Sequence, residues 1–154
     1  MLRKKAVKNV ATTIEAAQAA GSVRLFWVRH EFPTEWAKFQ SQIPSANQRF
    51  ELALNLREEH YPFWSQGRLN SVKRVDLLVR STQTPVPGSI DIFKNPDKND
   101  TTTKGTLTKD TALGNLLRGP LTDGLPTKPD GELKLFFTAK AMSDLWIAVT
   151  WGSV

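Results

Sequence analysis

Several short runs of the chain alternate apolar and polar residues with a period of two, the mark of strands with one buried face. The cleanest is RFELALNL, 49–56, where Phe50, Leu52, Leu54 and Leu56 alternate with Glu51, Ala53 and Asn55. SVKRVDLLVRS, 71–81, sets Val75, Leu77 and Val79 against Arg74, Asp76 and Arg80. SVRLFWVRH, 22–30, alternates Val23, Leu25 and Trp27 with Arg24, Phe26 and Val28, so both of its faces are partly buried. SIDIFK, 89–94, ELKLFFTA, 132–139, and DLWIAVTW, 144–151, read as further strands, the last presenting Leu145, Ile147, Val149 and Trp151 on one face. TLTKD, 106–110, adds a short one.

Two segments carry helical spacing instead. In 2–20, Ala6, Val7, Val10, Ile14 and Ala17 form a thin apolar stripe, with Gly21 placed to stop the helix. After Pro33, Thr34 is positioned to cap a short helix in which Trp36 and Phe39, three apart, share a face. Between these elements lie TQTPVPG, 82–88, a polar exposed loop at 95–105, and an irregular flap at 111–131. The flap contains four Gly and three Pro, and Leu113, Leu116, Leu117 and Leu121 can dock it. Six or seven short strands with two helical pieces predict a mainly β chain: an antiparallel β-sandwich with an N-terminal helix and a short second helix. The organisation is a basic helix over 1–21 and one sandwich domain over 22–154.

Composition narrows the function classes. The 154 residues include 21 Lys+Arg against 15 Asp+Glu, a formal charge of +6, and no Cys. The absence of Cys excludes a disulfide scaffold, a thiolate zinc site and a Cys nucleophile. Most of the excess charge comes from Arg3, Lys4, Lys5, Lys8, Arg24 and Arg29 near one end. A nucleic-acid binder wants a basic face on the fold itself, so no nucleic-acid partner is expected. A polyanion or membrane-surface role would have to run through helix 2–20. No run of about eighteen apolar residues is present, so no transmembrane segment is predicted. VATTIEAAQAAG is too polar for the core of a signal peptide and too Ala-rich for a transit peptide.

Catalytic patterns are missing. His30 and His60 have no metal-ligand spacing with each other, and a His–carboxylate site with Glu31, Glu58 or Glu59 has no motif behind it. The serines lack a nucleophile elbow, and the glycines stand singly rather than in a phosphate loop. The adjacent Glu58 and Glu59 would point apart on a strand. The chain reads as a non-enzyme with neither cofactor nor metal.

EHYPFWSQGR, 59–68, gathers Tyr61, Phe63 and Trp64 around a proline, followed by Arg68. Exposed aromatics beside Arg make binding hot spots. Trp and Phe usually bury, however, which favours a corner plugging the end of the sandwich. Arg68, Lys73, Arg74 and Arg80, opposed by Asp76 alone, read as the solvated face of a strand or a basic edge.

Three segments, SVRLFWVRHEFPTEWAKFQ, RFELALNLREEHYPFWSQGRLNSVKRVDLLV and ELKLFFTAKAMSDLWIAVTW, resemble the C-terminal region of the A subunit of bacterial Tc insecticidal toxin complexes and of large neuraminidase-like toxin relatives. The matching positions are Phe32, Pro33 and Trp36; Phe50, Leu52 and Leu54; Tyr61, Pro62, Gly67 and Arg68; Val72, Val75, Leu77 and Val79; and Ser143, Asp144 and Leu145. They cover about residues 22–81 and 132–152. The resemblance implies a β-sandwich module, extracellular as part of a toxin assembly. There it docks the β-propeller of a partner B subunit and takes part in self-association. The interface candidates are His60, Trp64, Arg68, Arg74 and Trp151. The competing reading is a carbohydrate-binding sandwich in which Tyr61, Trp64 or Trp151 stacks on a sugar ring.

Overall fold

The computed structural model describes residues 22–61 and 71–151. The helix predicted over 2–20 lies outside them. The described residues form eight strands: β1 (Ser22–Trp27), β2 (Phe50–Leu56), β3 (Val72–Ser81), β4 (Ser89–Phe93), β5 (Thr103–Asp110), β6 (Leu116–Pro120), β7 (Gly131–Phe137) and β8 (Met142–Trp151). Two short helices, α1 (Val28–Glu31) and α2 (Pro33–Ser41), join β1 to β2. The fold is mainly β. All strand pairs are antiparallel, in the order β1-β8-β3-β6-β5-β4-β7-β2.

Divided between β6 and β5, that order reads 1-8-3-6 and 5-4-7-2, the strand order of a jelly roll. The halves are not separate sheets. One continuous sheet curls into a half-barrel, and a single apolar core gathers side chains from every strand. It contains Phe26, Leu52, Leu54, Val75, Leu77, Ile92, Leu107, Leu117, Leu133, Leu135, Leu145 and Ile147. Burying each of these side chains fully contributes roughly 1.5–3 kcal/mol, set against the entropy of ordering the chain.

The joint between the halves is a short pairing of β5 with β6, from Thr108↔Arg118 to Asp110↔Leu116, followed by a bridge between Gly105 and Leu121. The two backbones come too close for side chains at this corner. A Cβ on Gly119 would lie 2.3 Å from the Thr106 carbonyl oxygen, and one on Gly105 would lie 2.6 Å from that of Pro120. These reciprocal glycines let the sheet turn the corner.

Four expectations change. β1 ends at Trp27 rather than running to His30, because the Glu31 carboxylate accepts the Trp27 N–H at 2.6 Å and turns the chain into α1. Helix α2 starts at Pro33, not after a Thr34 cap; proline suits the first helical position because its missing N–H has no intrahelical partner there. The polar loop ends earlier than position 105, since the β-branched Thr103 already belongs to β5. The irregular flap contains a real strand, β6, paired with both β3 and β5. Its Gly-Pro signal marks the corner rather than a loop.

β8 is buried on both faces. Leu145, Ile147, Val149 and Trp151 enter the main core, while Trp146 packs with Leu78, Leu113 and Leu116 on the sheet's other side. Leu25 and Trp27 of β1 lean on that second cluster, and the Trp27 and Trp146 rings stack at 6.0 Å. Among the described residues, no helix is long and apolar enough to cross a membrane.

Gly119→Ala should therefore lower stability by about 2–3 kcal/mol, because its methyl meets backbone rather than a movable side chain. Urea denaturation compared with Gly88→Ala, where a Cβ meets nothing within 4 Å, checks this; equal midpoints for the two variants would refute the corner.

Candidate functional site

At the start of β1, Arg24 links three elements. Its Nε donates to the His60 carbonyl at 2.8 Å, its guanidinium pairs with Glu31, and it lies 4.3 Å from the centre of the Phe26 ring. His60 ends a 3-10 turn, Glu58–His60, that follows β2. Its Nδ1 accepts the Arg57 N–H at 2.9 Å, and its ring stands edge-on to Phe26 and Phe32 at 6.0 and 5.1 Å. Tyr61 follows, buried, with its hydroxyl donating to the Pro129 carbonyl and its ring edge-on to Trp151 at 5.1 Å. Burial pushes the Tyr61 phenol well above its ordinary range; Asp130 adds to the shift and Arg24 opposes it.

The sequence candidates therefore separate. His60 is half-buried in this aromatic corner. Trp151 is 3% exposed and belongs to the core, so neither face of its ring is open to a partner or a sugar. Tyr61 is spent the same way. Arg74 lies on β3, with its Nε 2.7 Å from Asp76, an exposed pair worth about 0.2–1 kcal/mol. It is in register with Thr150, and its face is opposite to that of Trp151. Trp64 and Arg68 lie outside the described residues. For Tyr61, the corner reading of the aromatic turn holds.

Most of the described resemblance residues turn out to be structural. Phe32, Trp36, Leu52, Leu54, Val75, Leu77 and Val79 are core. Asp144 is 1% exposed; it accepts the Trp27 indole N–H at 2.8 Å and the Arg29 Nε–H at 2.6 Å. It ties α1 to β8 and fixes Trp27 over Trp146.

Another site has no counterpart among those candidates. After α2 the chain passes through Ile43, which is 94% exposed. It borders an open groove of about 410 Å³ lined also by Pro44, Phe50, Lys98 and Lys140. By contrast, a pocket between Val79, Ile90, Phe137 and Met142 holds only about 50 Å³. Two anchors hold the groove walls. The Gln42 side chain accepts the Glu51 N–H and donates to the Glu51 carbonyl at 3.2 Å, acting as a one-residue strand beside the edge of β2. The Lys140 ammonium donates to the carbonyls of Gln40 and Gln42.

The opposite wall depends on Arg49, which is 5% exposed. Its Nη1 donates to the carbonyls of Asn95, Asp97 and Asp100 at 3.1, 2.7 and 2.8 Å, and its guanidinium lies 3.6 Å from the Phe93 ring centre. The polar loop 94–102, and Lys98 with it, is thereby fixed against 47–49, where Lys98 N–H also bonds the Asn47 carbonyl at 2.9 Å. The sequence signal for the groove is slight: an Ile-Pro pair among Gln, Ser, Ala and Asn.

Compared with protein-family models, curated proteins and solved structures, the chain finds no match in any of the three.

Tyr61 is the chain's one tyrosine, so its titration can be read directly. Its raised value means that the phenol contributes stability below the unfolded value of about 10 and loses it as pH climbs toward the folded one. Phenolate absorbance should stay flat past pH of about 10 and then rise together with the loss of β-sheet circular dichroism. Ionisation near the ordinary value, with the fold intact, would mean that the hydroxyl is not buried.

Proposed function

We propose that this chain is a non-catalytic protein–protein docking module of a Tc-toxin-like assembly, binding a β-propeller-type partner subunit. The observation that carries the docking role is Ile43, an aliphatic side chain held almost fully in solvent on a braced segment beside an open groove. Exposing an Ile side chain forgoes roughly 1.5–3 kcal/mol of burial, which a partner's surface recovers on binding. The ordered charges described above serve the scaffold: Arg24 with Glu31, Arg29 with Asp144, and Arg49 with its loop. A rigid platform of this kind loses little entropy on association. The choice of a propeller partner rests on the toxin-subunit resemblance.

Biolayer interferometry with a purified Tc-type B-subunit propeller, run at about 0.1 M and about 1 M salt, tests the reading. Saturable binding should persist at the higher salt, because apolar contact is not screened. An absence of saturable binding at both salts would overturn the propeller assignment.

A further inference from the structure

We infer that the Ile43 groove receives an acidic segment of a partner protein, an aliphatic side chain flanked by carboxylates; the inference deepens the docking role proposed above. Apolar surface and positive charge coincide there. Ile43, Pro44 and Phe50 provide the apolar part, and Lys98 and Lys140 are the charged residues lining the same groove.

Neither lysine is ion-paired among the described residues. The carboxylates nearest in sequence to Lys98 are engaged in their own loop. Asp97 accepts the Asn99 N–H at 2.9 Å, while Asp100 accepts the Thr102 N–H at 2.9 Å and the Asn95 side-chain amide. Lys98 is exposed and held by its backbone bond to Asn47, so its charge is presented from a fixed wall. Lys140 uses two of its three ammonium protons on the Gln40 and Gln42 carbonyls, which leaves one donor for an incoming oxygen.

An aliphatic side chain against Ile43 and Phe50 supplies the part of the affinity that salt does not screen. The two lysines set orientation and exclude basic segments, the usual division between apolar and charged contacts at an interface. Glu51, on the neighbouring edge of β2, does not line the groove. Its backbone is already closed by Gln42, so an incoming strand finds no free ladder position there. Recognition therefore runs through side chains.

The test uses the full chain with two acetylated, amidated peptides, one placing two leucines among glutamates and the other placing them among lysines, each titrated by amide-resolved NMR. The acidic peptide should shift resonances of Gln42–Phe50, Lys98 and Lys140 saturably. The basic peptide should bind at least about tenfold more weakly, a gap that narrows at about 1 M salt. Ile43→Ser should abolish the shifts, and Lys98→Glu should remove the preference for acid. Both positions are exposed, so each variant should keep the wild-type melting temperature. Equal response to the two peptides, or shifts confined elsewhere, would overturn the inference. The propeller separates it from the docking role. If wild-type chain binds the propeller and both variants bind it equally well, the groove is wrong and docking stands. If only the acidic peptide binds, the groove stands and the propeller assignment falls.

Discussion

The architecture depends on two backbones passing within contact distance at Gly105 and Gly119. Strands β1, β8, β3 and β6 make one half of the sheet, and β5, β4, β7 and β2 make the other. A single core forms only if the halves face each other. The corner between β6 and β5 sets that geometry, because each glycine leaves space for the opposite carbonyl. Any side chain there would push the halves apart and thin the core that Leu107, Leu117 and Leu77 share. The loss would be felt far from the corner, since protein interiors are close-packed and transmit strain.

With the corner set, the ends of the sheet still expose two edge strands. Both receive side-chain partners. On β1, Arg24 donates to the Leu25 carbonyl and Glu31 accepts from the Trp27 N–H. On β2, the Gln42 amide serves both polar groups of Glu51, and His60 Nδ1 takes the Arg57 N–H just beyond the strand. Blunted edges of this kind limit pairing with other chains. They also place α1, α2 and the 3-10 turn firmly, and those pieces support the aromatic corner and the Ile43 segment.

The strands were the most legible part of the sequence. Alternation in FELALNL matches the buried face of β2, and Val75, Leu77 and Val79 match the core face of β3, whose other face carries Asp76 and also Leu78, the latter packed in the second cluster. β6 was hidden for a physical reason: the residues that permit the corner, Gly119 and Pro120, are those that normally announce a loop. The continuous sheet was hidden too, since period-two patterning reports which faces are buried and not which strands pair. The candidate site was less legible still. The aromatic turn around Tyr61 favoured packing over binding while Trp151 stood as a binding candidate, and their burial together with their mutual edge-on contact assigns both to the core. Ile43 draws no notice in a sequence because a single apolar residue in a loop is ordinary. Its meaning comes from Gln42, Arg49 and Lys140, which hold the surroundings still.

Arg49 gives the loop it organises an unusual independence. Converging carbonyl oxygens around a buried positive charge are the usual makings of a calcium-stabilised turn, where folding follows the concentration of free ion. In this chain the charge is carried on a side chain of the same polypeptide, and its local concentration never falls. The groove wall that carries Lys98 is accordingly set when the protein folds. Its shape should be the same in a calcium-poor cytosol, a calcium-rich body fluid and a chelating buffer.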